Sequence, residues 1–270
     1  MNDRLLASRS SPDFVTIVVP VRNEEILLPR ALAALAVAID ALAVVPQPDR
    51  PAVSVLLVLD QCTDFSAQVA THWPDFDRVE IDAGAVGVAR RYGVQRALRR
   101  LGAVSGAVSG AVFGASASAV GDIEAERIWI ASTDADSAVP PNWLIAQLAF
   151  ARNGVDLVLG TVQPDDDLAA HELVHWESLH TIGEGHPHVH GANLGVRADR
   201  YLAAGEFAPV DRDEDVLLVA ALRDLGVTEA RTALIPVLTS GRRLGRAPAG
   251  FAEYLREHIN PDRVDTGAAQ

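Results

Sequence analysis

The stretch "WIASTDADSAVP", Trp129–Pro140, ends an apolar run with two aspartates one residue apart. A short apolar run bounded by turn residues predicts a buried strand. On an extended chain alternate side chains point the same way, so Asp134 and Asp136 are expected to aim two carboxylates at one spot. Like charges that close repel unless something positive sits between them. That group is either an arginine or lysine from elsewhere in the chain, or a divalent cation.

Working outward, the same design recurs. "FVTIVVP" (Phe14–Pro20) predicts a buried strand followed by Asn23-Glu24, and "AVSVLLVLD" (Ala52–Asp60) a second strand ending in an acid. "DRVEID" (Asp77–Asp82) is a third strand, "ERIWIAS" the fourth, "VDLVLGTVQ" a fifth and "ALIPVLTS" the last, with a further short strand in "LGVRADRYLAAGEF". Between them lie helical patterns. One is expected over 23–45, with Asn23 as its cap and Glu24 and Glu25 in its first turn. Others are expected in "TDFSAQVATHW", over Gly84–Gly102, in "PNWLIAQLAFARNG", over Asp167–Gly183 and over Arg212–Gly226. Alternating strands and helices predict an α/β protein with a parallel sheet covered on both faces. Such sheets bind ligands beyond the carboxyl ends of their strands. Several acids on that one rim make a site there more credible than any one of them would.

Bulk properties narrow the function. The 270 residues suffice for a full core, 49% hydrophobic and 22% charged residues suit a globular protein, and a net charge of −13 argues against a general nucleic-acid binder. Cys62 is the only cysteine, so no intrachain disulfide forms. "MNDRLLASRSSPD" has no signal-peptide core, and "ALAALAVAIDALAVV" is too short and interrupted to span a bilayer. A cytoplasmic protein without a transmembrane segment is expected, with peripheral membrane contact left open. Residues 103–121, uncharged and built of Gly, Ala, Ser and Val apart from one Phe, read as a flexible insertion.

The ordered segments resemble the family 2 glycosyltransferases, whose fold is GT-A, a Rossmann-like mostly parallel sheet flanked by helices. They are "TIVVPVRNEE", "VLLVLDQCTD", "GAVGVARRYGV", "STDADSAVPPNWL", "VHGANLGVRADRYLAAGEF" and "DRDEDVLLVAALRDLG", running from about Val15 to Arg243. A lone DXD triplet is weak; the set in order is strong. The resemblance implies one domain over 14–245, with a nucleotide-sugar half at 14–136, an acceptor half at 137–245, and tails at 1–13 and 246–270. It implies inverting transfer of a sugar from a nucleoside-diphosphate donor, a UDP- or GDP-sugar, to an acceptor hydroxyl, with Mn²⁺ or Mg²⁺. Asp136 would bind the metal, and Asp134 would hold ribose or the metal's waters. Pro20, Asn23, Glu24 and Asp60 would serve the nucleoside, and Arg90 the diphosphate. His190 and Asn193 would face the donor sugar and acceptor. Asp215 would be the base, with Glu214 as helper, and Arg242 or Arg243 would meet phosphate. The "QCT" after Asp60 departs from the family's usual Gly-Ser-Thr-type turn, so the base is not specified.

Each residue also has a plainer reading. Asn23 and Glu24 suit a helix start, Arg90 is one of several arginines on its helix, and Glu214-Asp215 suits an acidic first turn. His186, His188 and His190 have poor spacing for a zinc cage. "HELVH" matches HExxH literally, so a zinc-dependent hydrolase using His171, Glu172 and His175 is a rival. A non-catalytic nucleotide-sugar binding module and a nucleotidyltransferase are the others.

Overall fold

The computed structural model describes residues 11–47, 49–103, 123–165, 168, 170–179 and 183–241, with backbone alone for 170–172 and 179. Among them seven strands form one sheet: β1 (Phe14–Val21), β2 (Ala52–Asp60), β3 (Asp77–Ile81), β4 (Ile128–Ser132), β5 (Leu157–Pro164), β6 (Leu194–Arg197) and β7 (Glu229–Thr239). Their order across the sheet is β3-β2-β1-β4-β6-β5-β7. All neighbours run parallel except β6, which is antiparallel to both β4 and β5. The sheet is therefore mostly parallel, as the resemblance implies, with one antiparallel strand. The single reversed strand brings the chain just before β6 to the same edge as the carboxyl ends of β4 and β5, since Ser132 and Leu159 both pair with Leu194.

Among the described residues seven α-helices flank the sheet: α1 (Leu28–Asp40), α2 (Ser66–Ala70), α3 (Val86–Arg100), α4 (Trp143–Arg152), α5 (Ala170–Leu179), α6 (Ala198–Ala203) and α7 (Glu214–Asp224). Strand alternation divides the core in two. On one face Ile17, Val19, Leu57 and Trp129 pack under Leu28, Leu32 and Leu35 of α1 and Trp143 and Leu148 of α4. On the other, Val18, Val58, Ile130 and Leu159 pack under Tyr92 and Leu98 of α3, Tyr201 of α6 and Leu218 and Leu222 of α7. Gly93 permits the close approach of α3: a Cβ there would stand 2.5 Å from Val18 Cγ1.

Two expectations about the first helix fail. It starts at Leu28, not Asn23, because Pro29 is tolerated only in a first turn; a helix begun earlier would place it inside, where its missing N–H and its ring break the helix. Asn23 instead adopts a left-handed backbone, φ 54°, and its Oδ1 accepts the N–H of Thr63 at 2.7 Å and that of Asp64 at 3.3 Å. It caps the turn before α2 rather than α1. Most of the 103–121 insertion lies outside the described residues. Its flanks meet, with the Ile123 N–H donating to the Leu101 carbonyl at 3.2 Å. Among the described residues, no helix is long and apolar enough to cross a membrane.

Candidate active site

Acids follow or end β1, β2 and β4 on one rim, but the arrangement differs from simple strand alternation. Beyond β4 the chain turns at once: the Ser137 N–H closes back on the Asp134 carbonyl at 3.2 Å. Asp134 and Asp136 therefore do not share a face of an extended strand. The Asp134 carboxylate meets the Arg90 guanidinium, whereas Asp136 Oδ1 accepts from Ser137 Oγ at 3.2 Å. The positive group that the opening repulsion required is, for Asp134, an arginine.

Arg90 is the centre of the cluster. It rises from α3 between the two halves of the site and is 2% exposed. Its Nε donates to Glu214 Oε1 at 2.9 Å, Nη1 to Ser132 Oγ and Nη2 to Asp134 Oδ1. The Phe207 ring lies 5.9 Å from its Cζ. Arg90 is thus neither a surface charge nor an open phosphate contact; its donors are bonded within the protein. Asp215 completes the group, its Oδ2 accepting the Gly191 N–H at 2.5 Å. Gly191 has to be glycine here, since a Cβ would come to 2.8 Å from Arg90 Nη2.

Three carboxylates against one guanidinium leave the cluster net negative. Burial lifts the carboxyls of Glu214 and Asp215 above the usual carboxylate range, with Arg90 pulling only partly the other way. Burial alone would make Arg90 easier to deprotonate, but Asp134, Glu214 and Asp215 outweigh it and hold the guanidinium firmly charged. A buried carboxylate with a raised proton affinity is a stronger base than a solvated one.

Three loops meet beyond the ends of β1, β2 and β3. Asp60, 3% exposed, accepts the N–H groups of Ala83 and Gly84 on Oδ1 at 2.8 and 3.0 Å. Gln61, in a left-handed backbone at φ 53°, donates to Asp82 at 2.6 Å and accepts from Arg22 at 3.0 Å. Glu24 is buried and its N–H donates to Ser66 Oγ at 2.7 Å. Pro20 sits at the end of β1 opposite Val58. Arg22, Gln61 and Asp82 were missed in the sequence, because no motif announces a contact among three loops.

Other predicted residues fall elsewhere. Asn193 is interior, 1% exposed; its amide donates to the carbonyls of Thr161 and Ile235 at 2.8 and 2.7 Å and accepts from Trp143 Nε1 at 2.8 Å. It clamps β5, β7 and α4 rather than facing a ligand. His190 stacks on His188 at 5.8 Å, which stacks on His186 at 5.9 Å. His175 is exposed on α5, while the side chains of His171 and Glu172, and all of Arg242 and Arg243, lie outside the described residues.

Among the described residues no three His, Cys, Asp or Glu side chains converge as a metal cage. The rim still suits a hard divalent cation. Asp134 and Asp136 offer carboxylate oxygen beside a net-negative cluster, and such ions commonly take one or two carboxylates and complete their shell with substrate phosphates and water.

The sequence profile described as "Glycosyl transferase family 2" matches residues 16–188, more than half of the chain. The chain belongs to glycosyl transferase family 2. The matched span contains Asn23, Glu24, Asp60, Arg90, Asp134, Asp136 and the "HELVH" helix, and it ends before Glu214 and Asp215. Among curated proteins none matches the family member significantly. Solved structures share its fold. The Pyrobaculum calidifontis mannosyltransferase PcManGT, in complex with GDP-Man and Mn²⁺, is 17% identical with a TM-score of 0.53, covering 92% of this chain and 69% of its own. S. aureus TarS 1–349 is 12% identical with a TM-score of 0.53, covering 85% of this chain and 61% of its own, so this family 2 chain spans less than two thirds of that one. M. tuberculosis glucosyl-3-phosphoglycerate synthase is 16% identical with a TM-score of 0.50, covering 90% and 75%.

Proposed function

We propose that this chain transfers a sugar from a nucleoside-diphosphate donor to an acceptor hydroxyl, with inversion and with Mn²⁺ or Mg²⁺. The observation that carries the reading is the Arg90 cluster, which joins Asp134 on the donor side to Glu214 and Asp215 on the acceptor side.

Asp60, Glu24 and the loops joined by Arg22 and Gln61 receive the nucleoside. Asp136, with Asp134 beside it, would hold the cation, which would supply positive charge to offset that of the departing diphosphate. Asp215 takes the proton of the acceptor hydroxyl as that oxygen attacks the anomeric carbon. The Gly191 N–H keeps one oxygen of Asp215 in place, and Glu214 anchors Arg90. The attacking oxygen displaces the diphosphate directly, so no covalent enzyme intermediate forms. Asp215 accepts the proton because burial raises its affinity for one. The family membership favours this over a zinc hydrolase built on "HELVH".

The test is a panel of UDP- and GDP-sugars with Mn²⁺, Mg²⁺ or EDTA, read by thermal shift and by release of nucleoside diphosphate. PcManGT, solved with GDP-Man, and S. aureus TarS 1–349, also solved in complex with UDP, are the reason to begin with these two bases. A donor at about 100 times its dissociation constant stabilises the fold by about 2.7 kcal/mol. A shift with one base that vanishes in EDTA and in Asp136→Ala supports the reading. Silence across the panel, with zinc retained after purification, overturns it.

A further inference from the structure

Arg30, in the first turn of α1, reaches two elements that no motif connects. Its Nη1 donates to Asp165 Oδ2 at 2.6 Å, and its Nη2 to the main-chain carbonyl of Asp136 at 3.0 Å. Asp165 follows β5 and is 7% exposed. Its Oδ1 accepts the Gly241 N–H at 2.9 Å, and its own N–H donates to the Thr239 carbonyl at 2.8 Å. The turn carrying Asp136 is bound to that same end of β7. Ser137 Oγ donates to Thr239 Oγ1 at 2.9 Å, and Ala138 and Leu238 exchange main-chain hydrogen bonds at 2.7 and 3.0 Å.

A carbonyl held from outside fixes the peptide plane, and with it the direction in which the residue's own side chain leaves the main chain. Arg30 therefore acts on Asp136 without touching its carboxylate. Its planar fork suits this task, since one nitrogen binds the buried acid and the other the carbonyl. Arg30 is 36% exposed, and α1 is already held by Leu28, Leu32 and Leu35.

We propose that Arg30, braced by Asp165, is a positioning residue that aims Asp136 at the divalent cation and ties the Asp134–Val139 turn to the point where the chain leaves β7. This rests on the metal-dependent transfer reading above. Groups that orient a ligating carboxylate typically change metal affinity 10–100-fold when removed.

The experiment follows free Mn²⁺ by EPR during titration of the full chain in the presence of UDP, and again of GDP. Wild type, Arg30→Ala, Arg30→Lys and Asp165→Asn are compared. Asp156→Asn serves as a control, since Asp156 Oδ2 accepts the Thr228 N–H at the opposite end of the strands. Arg30→Ala is expected to weaken Mn²⁺ binding about tenfold. Arg30→Lys should recover only part of it, because one ammonium cannot serve both partners in the same geometry. Asp156→Asn should lower the melting temperature and leave Mn²⁺ affinity as in wild type. Equal Mn²⁺ affinity in wild type and Arg30→Ala overturns the proposal, as does equal weakening by Asp156→Asn. Failure of wild type to bind Mn²⁺ with either nucleotide overturns the metal-dependent reading, and this one with it.

Discussion

Arg90 on α3 and Glu214 on α7 are 124 residues apart in the chain and 2.9 Å apart in space, and neither side chain is more than 7% exposed. An ion pair so placed is sensitive to the loss of one partner, because the survivor is a buried charge without its counter-charge. Arg90→Met is expected to destabilise the fold by about 3–5 kcal/mol. Glu214→Gln should be milder, since a neutral amide still accepts from Nε and Asp134 remains beside Arg90. Urea unfolding of both variants and of the double variant measures the coupling.

Asp215→Asn separates chemistry from folding. Turnover is expected to fall about 10²–10⁴-fold, the usual contribution of a general base, while donor affinity is retained. Retained turnover would instead favour a non-catalytic binding module or another base.

The same variant has a signed effect on stability. Asp215 binds its proton more tightly folded than unfolded, because burial disfavours the charge. Its stabilising contribution is complete below the unfolded carboxylate range and is lost as pH rises through the raised folded value. Asp215→Asn should therefore melt near wild type in acid and above it at neutral pH. In wild type, turnover should rise with pH and level off only above the ordinary carboxylate range. Melting curves and initial rates followed from acid to neutral pH test both.

Gly191→Ala sets a Cβ against Arg90 Nη2. The Gly191 N–H should be pushed off Asp215, with a loss of about 1–3 kcal/mol in stability typical of overpacking. Turnover should fall while donor binding holds, which single-turnover rates and donor titration distinguish.

Asn193→Ala leaves Trp143 Nε1 and the carbonyls of Thr161 and Ile235 without their partner. At ~1–3 kcal/mol for each buried group left unpaired, the loss should be at least about 3 kcal/mol. Donor affinity in the folded fraction should be unchanged, which places Asn193 in the scaffold rather than in the site.

Most strands were legible in the sequence because each is a short apolar run stopped by a turn residue, whereas β3 is largely charged and β7 begins at Glu229, ahead of the apolar run that marks it. Ala52–Asp60 coincides with its strand to the residue, and the acids after β1, β2 and β4 lie on one rim as expected. The start of α1 was legible too, in Pro29, and was misread in favour of an attractive cap at Asn23.

What the sequence by itself determined is the alternation of elements, the two-faced core and the family. What only the tertiary structure decided is which groups meet. The reversal of β6 depends on what it pairs with, not on its own residues, and it delivers Gly191 to Asp215. Asp134 and Asp136 part because a turn, not a strand, carries them, and each then answers to an arginine far away in the chain, Arg90 at the carboxylate and Arg30 at the carbonyl. Local pattern encodes burial and period, whereas hydrogen bonds between residues more than 40 apart in the chain depend on how the packed elements bring them together.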